Sequence, residues 1–313
     1  MNTEPFVSFH QKISDNCSKI IVGKQEVIRQ LVICLIAGGH VLLEDVPGTG
    51  KTMLLRAFAR SIGGSFKRIQ FTPDLLPSDL TGINFFHQQK GEFEFRPGPI
   101  FANVVLADEI NRATPRSQSA LLEVMEEKQV TVDGKSYPMG EPYIVMATQN
   151  PLESFGTFPL PEAQLDRFFM RLSLGYMTRE QELSVLARPD AKDLLAELEQ
   201  VAEAGEAAQL RQQFREVRVS DAISSYIMDI VEATRKSELL SCGVSTRGAL
   251  ALYRASQINA ALDGRDFVIP EDVKQEALAV LPHRFSLIRR SHLDNVQFLR
   301  NLLEEIEVPL EAL

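Results

Sequence analysis

The sequence predicts an α/β domain, built on a parallel sheet flanked by helices, followed by an all-helical domain. Strand patterns begin near residues 40, 66, 104 and 143 and alternate with helical patterns, an order typical of parallel sheets. A glycine-rich loop joins the first of these strands to the helix after it, and the strand pattern stops near residue 177. We therefore expect an α/β domain at residues 1–177 and a helical lid at residues 178–313.

The helical domain is predicted from apolar residues at helical spacing and from signals for helix starts. Helices are expected over residues 179–187, 207–214, 221–236, 246–262, 271–281 and 293–306. Ser220 and Ser245 stand at N-cap positions, and Pro270 opens the helix that follows it. The Ala- and Glu-rich stretch at residues 191–208 is interpreted as a solvated segment.

Composition and charge narrow the classes of protein. Of the 313 residues, 44% are hydrophobic, which is enough to fill ordinary cores. The longest apolar stretch is too short to cross a bilayer and the N-terminus lacks a signal peptide, so we expect a cytoplasmic protein without a membrane span. A net charge of −9 argues against a large basic face for nucleic acid. The three cysteines and five histidines are scattered, which argues against a metal cluster.

Residues 45–52, with the sequence DVPGTGKT, have the pattern of a phosphate-binding loop between a strand and a helix. In such a loop backbone N–H groups point at the phosphates, the lysine reaches the outer phosphates and the next hydroxyl ligates Mg²⁺. Lys51 and Thr52 are predicted to have these two roles. The predicted contacts of ATP in this loop are Pro47, Gly48, Thr49, Gly50, Lys51, Thr52 and Met53.

Asp45 departs from the pattern, because a glycine usually stands at the first position of the loop. Glycine is favoured there when the turn needs unusual backbone angles. Aspartate adopts positive φ more readily than most residues, so we expect the loop to close with Asp45 in place.

Phosphoryl transfer to water needs a metal, a base for the water and positive charge on the transition state. Asp108 and Glu109 follow an apolar strand, so Asp108 is predicted to complete the Mg²⁺ shell and Glu109 to activate the water. Asn150 ends the next buried strand, where its amide either orients the water or simply starts a turn before Pro151.

Two arginines are candidates for the positive charge. Arg167 follows an expected turn and precedes a strand, and Arg247 lies in the first turn of a predicted lid helix. Each is otherwise an ordinary surface residue. An arginine supplied across a subunit boundary raises the rate by about 10³ to 10⁵.

Three further segments are candidate functional elements. Val22 and Gly23 form either a helix-to-helix turn or an apolar slot for adenine. Residues 84–95 and 130–137 are predicted hairpins, the second with an Asp-Gly turn. The aromatic residues of the first hairpin either pack on the domain or project towards a partner.

Five separate blocks resemble the MoxR family of the AAA+ superfamily. They are EDVPGTGKT at 44–52, QFTPDLLPSDL at 70–80, LADEINRA at 106–113, ATQNP at 147–151 and LPEAQLDRF at 160–168. The resemblance covers most of residues 20–175, and the Ser-Thr-Arg element at 245–247 extends it into the lid.

The resemblance implies an ATPase that assembles into a homo-oligomeric ring, usually a hexamer, with ATP at the subunit interfaces. Arg167 would be the finger acting in trans, Asn150 the sensor 1 residue and Arg247 the sensor 2 residue, with Arg112 and Arg116 as rivals to Arg167. The two hairpins match the helix-2 insert and the pre-sensor-1 hairpin of that clade.

The family also implies a chaperone-like activity on partner proteins, often proteins with a von Willebrand factor A domain, sometimes in metal or cofactor insertion. Two alternatives stay open. One is a nucleotide-gated scaffold with little turnover, against which the intact Glu109 and Arg167 count. The other is a DNA-dependent motor, against which the net charge of −9 counts.

Overall fold

The computed structural model describes residues 1–45, 48–149, 156–187, 191–288 and 294–309. The helices of this part of the chain are α1 (Glu4–Ser18), α2 (Gln25–Ala37), α3 (Lys51–Ser61), α4 (Pro77–Thr81), α5 (Pro115–Glu127), α6 (Glu162–Leu165), α7 (Arg179–Leu186), α8 (Ala191–Glu197), α9 (Ala204–Gln213), α10 (Asp221–Lys236), α11 (Thr246–Leu262), α12 (Pro270–Val280) and α13 (Asn295–Glu305). The strands are β1 (Val41–Glu44), β2 (Phe66–Gln70), β3 (Gly82–His87), β4 (Glu92–Pro97), β5 (Val104–Asp108), β6 (Gln129–Val132), β7 (Lys135–Pro138), β8 (Ile144–Gln149), β9 (Met170–Leu172), β10 (Leu240–Cys242) and β11 (Ser286–Leu287).

A five-stranded parallel sheet in the order β2-β5-β8-β1-β9 forms the centre of the first domain, as the sequence predicts. The inner strands β1, β5 and β8 are almost wholly buried, whereas the edge strand β2 is largely exposed. Parallel register aligns the carboxyl ends of the strands, so Gln70 pairs with Asp108 and Glu44 with Gln149. The polar side chains that end these strands therefore share one edge of the sheet.

Helices cover both faces of the sheet. Alternate strand residues such as Leu43, Leu106 and Met146 belong to a core that includes α1, α2 and α3. Residues one position away, such as Leu42 and Val105, belong to a second core with α5. This alternation follows from the two-residue period of a strand, and it holds the carboxyl edge in place from both sides.

The segment after the sheet is helical, as the fold class predicts, and adds one short antiparallel pair, β10 with β11. The long helix α11 packs against α12 and α2. No helix in the described ranges has both the length and the apolar character needed to cross a bilayer. The domain boundary near residue 177 stays a prediction.

The interpretation of residues 191–208 as a solvated segment is wrong. Helices α8 and α9 occupy most of it, and Leu198 and Ala202 between them are buried in the main core. The backbone carbonyl of Leu198 also accepts a hydrogen bond from Arg60 of α3. Alanine and glutamate are strong helix formers, and a few apolar side chains are enough to bury such a helix on one side.

Two antiparallel hairpins, β3 with β4 and β6 with β7, extend from the domain and contact each other. The ring of Phe95 stacks on Tyr137 with centroids 4.0 Å apart, and Asn84 donates a 2.7 Å hydrogen bond to Asp133. Near the turn of the first hairpin, Phe86 and Phe93 contact each other but are 51% and 73% exposed. The base of the first hairpin therefore packs on the second hairpin, while its end presents aromatic surface.

Candidate nucleotide site

The phosphate-binding pattern lies where β1 ends and α3 begins. Gly48 and Gly50 both have φ of 86°, a conformation that favours glycine. Among the described residues, no atom lies within 4 Å of the place where a Cβ would stand on either glycine. The loop thus borders open space at the N-terminus of a helix, where backbone N–H groups and the helix dipole favour an anion.

A cavity of about 430 Å³ opens over this loop. Predicted site residues that line it are Gly48, Thr49, Gly50, Lys51, Thr52, Met53, Asp108 and Glu109. Arg56, Arg68, Thr148 and Gln149 line it as well. The structure therefore brings the phosphate loop and the acidic pair to one cavity at the carboxyl edge of the sheet.

Thr148 of β8 contacts both members of the acidic pair. Its hydroxyl donates to Oδ1 of Asp108 at 2.6 Å and accepts from the backbone N–H of Glu109 at 2.7 Å. Glu109 has φ of 56°, uncommon for a residue with a side chain. One buried hydroxyl thus fixes the metal-ligand candidate and the backbone of the base candidate together.

The edge strand β2 supplies two further partners. Arg68 donates to Oδ2 of Asp108 through Nε at 3.0 Å and Nη2 at 2.5 Å. Gln70 donates through Nε2 to Oε2 of Glu109 at 2.7 Å, and Arg112 donates to the same oxygen at 2.8 Å. Sequence reasoning missed Arg68, Gln70 and Thr148, which lie on β2 and β8, the two strands that flank β5.

Asp45 fits the loop through its side chain rather than through its backbone conformation. The described non-glycine residues with positive φ are Glu109, Lys128 and Asp133, and Asp45 is not among them. Its carboxylate is buried and accepts hydrogen bonds from the segment that follows β9. The expectation that Asp45 is tolerated through positive φ is therefore wrong.

Arg167 and Arg247 meet at a different place. Glu126, at the end of α5, forms an ion pair with Arg167 at 3.3 Å and accepts a hydrogen bond from Arg247 at 2.5 Å. Both arginines line a cavity of about 560 Å³ that also includes Arg254 and Lys128. Neither arginine is among the described residues that line the phosphate-loop cavity.

Contacts from the lid fix the backbone around Arg167. The buried guanidinium of Arg284 donates to the backbone oxygens of Asp166, Phe168 and Phe169 and to the carboxylate of Asp166. Ser245, the N-cap of α11, donates to the other carboxylate oxygen of Asp166 at 2.9 Å. The conformation of the chain on both sides of Arg167 therefore depends on the lid.

His40 supports the end of α5 from the sheet. Nε2 lies 2.9 Å from the carbonyl of Met125, and Nδ1 accepts from the backbone N–H of Val145 at 3.0 Å. Complete burial lowers the pKa of His40 to about 4. The ring is therefore neutral near pH 7 with its proton on Nε2, and it joins β8 to the residue before Glu126.

Several predicted residues are not brought to the phosphate-loop cavity. Val22 and Gly23 precede α2 and are not among the described residues that line the cavity. Arg116 is exposed at the start of α5, and Arg112 pairs with Glu109 of its own chain. Pro47 and Asn150 lie outside the described residues.

The residues present fit a magnesium nucleotide. The two glycines leave room for phosphate oxygens beside Lys51. No group of three or more His, Cys, Asp or Glu side chains suited to a metal occurs in the part of the chain that the structure describes. Mg²⁺ is commonly held by one or two protein oxygens with phosphates and water completing its shell, and Thr52 and Asp108 offer such oxygens.

A parallel sheet with a phosphate loop and an acidic pair at its carboxyl edge, followed by a helical lid, defines an ATPase of the AAA class. Family models agree: residues 40–170 match the ATPase family associated with various cellular activities, and residues 232–306 match the AAA lid domain.

Three proteins similar to this chain extend the comparison. The uncharacterized protein YeaC of Bacillus subtilis is 47% identical, over 96% of this chain and 95% of that protein. Chaperone MoxR1 of Mycobacterium tuberculosis is 40% identical, over 93% of this chain and 80% of that protein. A crystal structure of a protein from Cytophaga hutchinsonii classed as an ATPase superimposes with a TM-score of 0.90 at 38% identity, covering 98% of both chains. The chain belongs to the MoxR family of AAA ATPases.

Proposed function

We propose that this ATPase assembles into a ring of six copies, in which each ATP site is completed by Arg167 and Arg247 of a neighbouring copy. The observation that carries the proposal is the position of these arginines. Glu126 holds them together at a cavity separate from the phosphate loop of their own chain. An arginine presented away from its own nucleotide is suited to act on the nucleotide of another subunit.

Within one subunit, Lys51 is assigned to the outer phosphates and the hydroxyl of Thr52 to the metal. Asp108 completes the metal shell, and Glu109 accepts the proton of the attacking water. Mg²⁺, when bound with ATP, neutralises charge on the phosphate oxygens. Gln70 holds Glu109, so this carboxylate is oriented before it acts, whereas Arg68 binds the Oδ2 atom of Asp108 that the metal would take. Asn150 is proposed as the residue that senses the γ-phosphate.

Val22 and Gly23 are proposed to contact adenine. Gly23 stands close to the start of α7, since a Cβ there would fall within 3 Å of the Gln181 side chain. The approach of the first lid helix to this turn supports a base-binding slot between the core and the lid.

We also propose that hydrolysis remodels or activates partner proteins, among them proteins with a von Willebrand factor A domain, in some cases during metal or cofactor insertion. The name of the relative MoxR1 describes it as a chaperone. The exposed Phe86 and Phe93 at the end of the β3–β4 hairpin supply apolar surface for such contacts. Large exposed apolar groups commonly mark interaction sites.

Mixing two inactive variants tests the shared site. Lys51→Ala removes the phosphate contact of a subunit but leaves its Arg167, and Arg167→Ala does the reverse. Each variant alone is expected to be inactive. In randomly mixed rings about one quarter of the interfaces pair an intact loop with an intact arginine, so ATPase activity should return. Mixed rings without any recovery of activity would exclude Arg167 as the trans-acting residue.

Two companion experiments complete this test. The same mixing with Arg112→Ala and Arg116→Ala examines the rival arginines. A Glu109→Gln variant, expected to bind ATP without hydrolysing it, can be purified from its own cells to capture partners. Repeated absence of von Willebrand factor A proteins from the captured set would contradict the proposed partner class.

A further inference from the structure

The segment between β9 and α7 connects the sheet to the lid, and it is bound from one side by Asp45. The carboxylate of Asp45 accepts from Ser173 Oγ at 2.7 Å, from the backbone N–H of Leu174 at 2.7 Å and from that of Gly175 at 3.0 Å. Only 7% of Asp45 is exposed. Hydrogen bonds to a buried carboxylate are strong and geometrically restrictive.

Lys24 binds the same segment through its carbonyls. Its ammonium donates to the backbone oxygens of Leu174, Gly175 and Tyr176, the last two at 3.2 Å. Lys24 is also buried, with 9% exposed. The backbone N–H groups of this connection therefore donate to the carboxylate of Asp45, and its carbonyl oxygens accept from the ammonium of Lys24.

Asp45 and Lys24 each adjoin a segment that is proposed to bind the nucleotide. Asp45 is the first residue of the phosphate loop, and its backbone oxygen lies 3.4 Å from Nζ of Lys51. Lys24 follows Gly23, against which the side chain of Gln181 from α7 rests. Gln181 is in turn held by the N-cap Thr178, so the start of the lid has a fixed position at this point.

We propose that Asp45 and Lys24 are a pair of positioning residues that couple nucleotide binding at the phosphate loop to the position of the lid. The inference rests on the proposed assignment of ATP to this loop. A glycine at position 45 has no carboxylate, so a phosphate loop of the usual pattern lacks this connection. Two buried side chains of opposite charge thus bind consecutive peptide groups of the connection from the phosphate loop and from the turn before α2.

The substitution Asp45→Gly places at the first position of the loop the glycine that usually stands there. The substitution removes the carboxylate and keeps the backbone oxygen near Lys51. It is nevertheless expected to weaken ATP binding roughly tenfold, within the range of typical coupling between sites. KM for ATP should rise to a similar extent while kcat stays within about twofold, because Asp108 and Glu109 keep their partners.

Two measurements on the full-length chain test the coupling. Binding of a fluorescent ATP analogue gives the affinity, and hydrogen exchange of the peptide spanning residues 172–177 reports on the Leu174 and Gly175 amides. Asp45→Ala, which lacks the flexibility of glycine, should match Asp45→Gly in both measurements. Lys24→Met, which keeps the length of the side chain, should also weaken binding. Lys67→Met, at an exposed lysine on β2, is the matched control.

The outcomes separate clearly. Faster exchange at residues 172–177 with weaker ATP binding in the three variants supports the coupling. Unchanged affinity overturns it, whether or not the amides exchange faster. The double variant of Asp45→Ala and Lys24→Met should lose less than the product of the single effects, because both residues hold one segment; full additivity would contradict the pairing. Absence of ATP binding in the unsubstituted protein would instead refute the assignment of ATP to this loop.

Discussion

Gln70 and Glu109 are joined by a 2.7 Å hydrogen bond between the ends of the neighbouring strands β2 and β5. The bond ends on Oε2 of Glu109, which also accepts from Arg112. Thr148 meanwhile holds the backbone N–H of Glu109. Gln70 and Arg112 thus hold the carboxylate that is proposed to activate water, and Thr148 holds the backbone of the same residue.

Gln70→Ala is expected to lower kcat about tenfold while KM for ATP changes less than about twofold. The reason is that Glu109 loses an orienting partner, and small errors in the position of a catalytic group are costly. Steady-state ATPase assays measure both constants. Gln89→Ala, at an exposed glutamine in the β3–β4 turn, is the control. A rise in KM with unchanged kcat would show that Gln70 acts on binding instead.

Arg68→Gln is expected to lower the Mg²⁺ concentration that gives half-maximal ATPase activity. Arg68 holds the Asp108 oxygen that a metal would take, but the arginine is 48% exposed, so solvent weakens the pair. A change of roughly threefold is expected for such an ion pair. Magnesium titration at saturating ATP measures it. Lys67→Gln removes an equal charge from the next position on β2 and should leave the titration unchanged.

Glu126→Gln tests the cluster that holds the two arginines. Without the negative charge, Arg167 and Arg247 repel each other, and neither keeps its ion pair. We expect kcat to fall about tenfold with ATP affinity unchanged, because an arginine acting in trans stabilises charge that develops mainly in the transition state. Turnover and analogue binding, measured in parallel, separate the two effects. The adjacent exposed Glu127→Gln makes the same charge change and should retain full activity.

Glu276 is expected to make the stability of the fold depend on pH. It lies buried between α12 and α2, where Gln30 donates to it at 3.0 Å and Glu26, Arg29 and Asp272 are the nearby charges. Burial raises its pKa from 4.5 to about 8. The folded form therefore holds a proton that the unfolded form releases, and this contribution is complete below pH 4.5 and lost as the pH rises through 8.

Glu276→Gln should remove that dependence and stabilise the protein at pH 8 by several kcal/mol. Urea unfolding midpoints at pH 5 and pH 8 measure the difference. Glu271→Gln, on the exposed side of the same helix, should behave like the unsubstituted protein. Equal midpoints at the two pH values in the unsubstituted protein would contradict the expectation.

Local patterns were sufficient to predict the parallel sheet, the phosphate loop and the acidic pair. Each depends on residues close together in the sequence, such as Gly48 to Thr52 or Asp108 beside Glu109. Arg68, Gln70 and Thr148 were missed because their roles depend on which strands lie beside β5, and local pattern does not encode strand order. The contacts of Asp45 were missed for a related reason, since its partners stand about 130 positions later.

Arg284 has a consequence for the direction of communication between subunits. Its buried side chain binds the backbone on both sides of Arg167, so the lid helps to fix the position of this arginine. In the proposed scheme, Asp45 and Lys24 couple the lid to the nucleotide of its own chain, and Arg167 acts on the nucleotide of a neighbouring copy. In a ring built from such copies, a change of nucleotide in one subunit would be transmitted in one rotational direction only. Each subunit would pass the change to the neighbour whose ATP site its arginine completes.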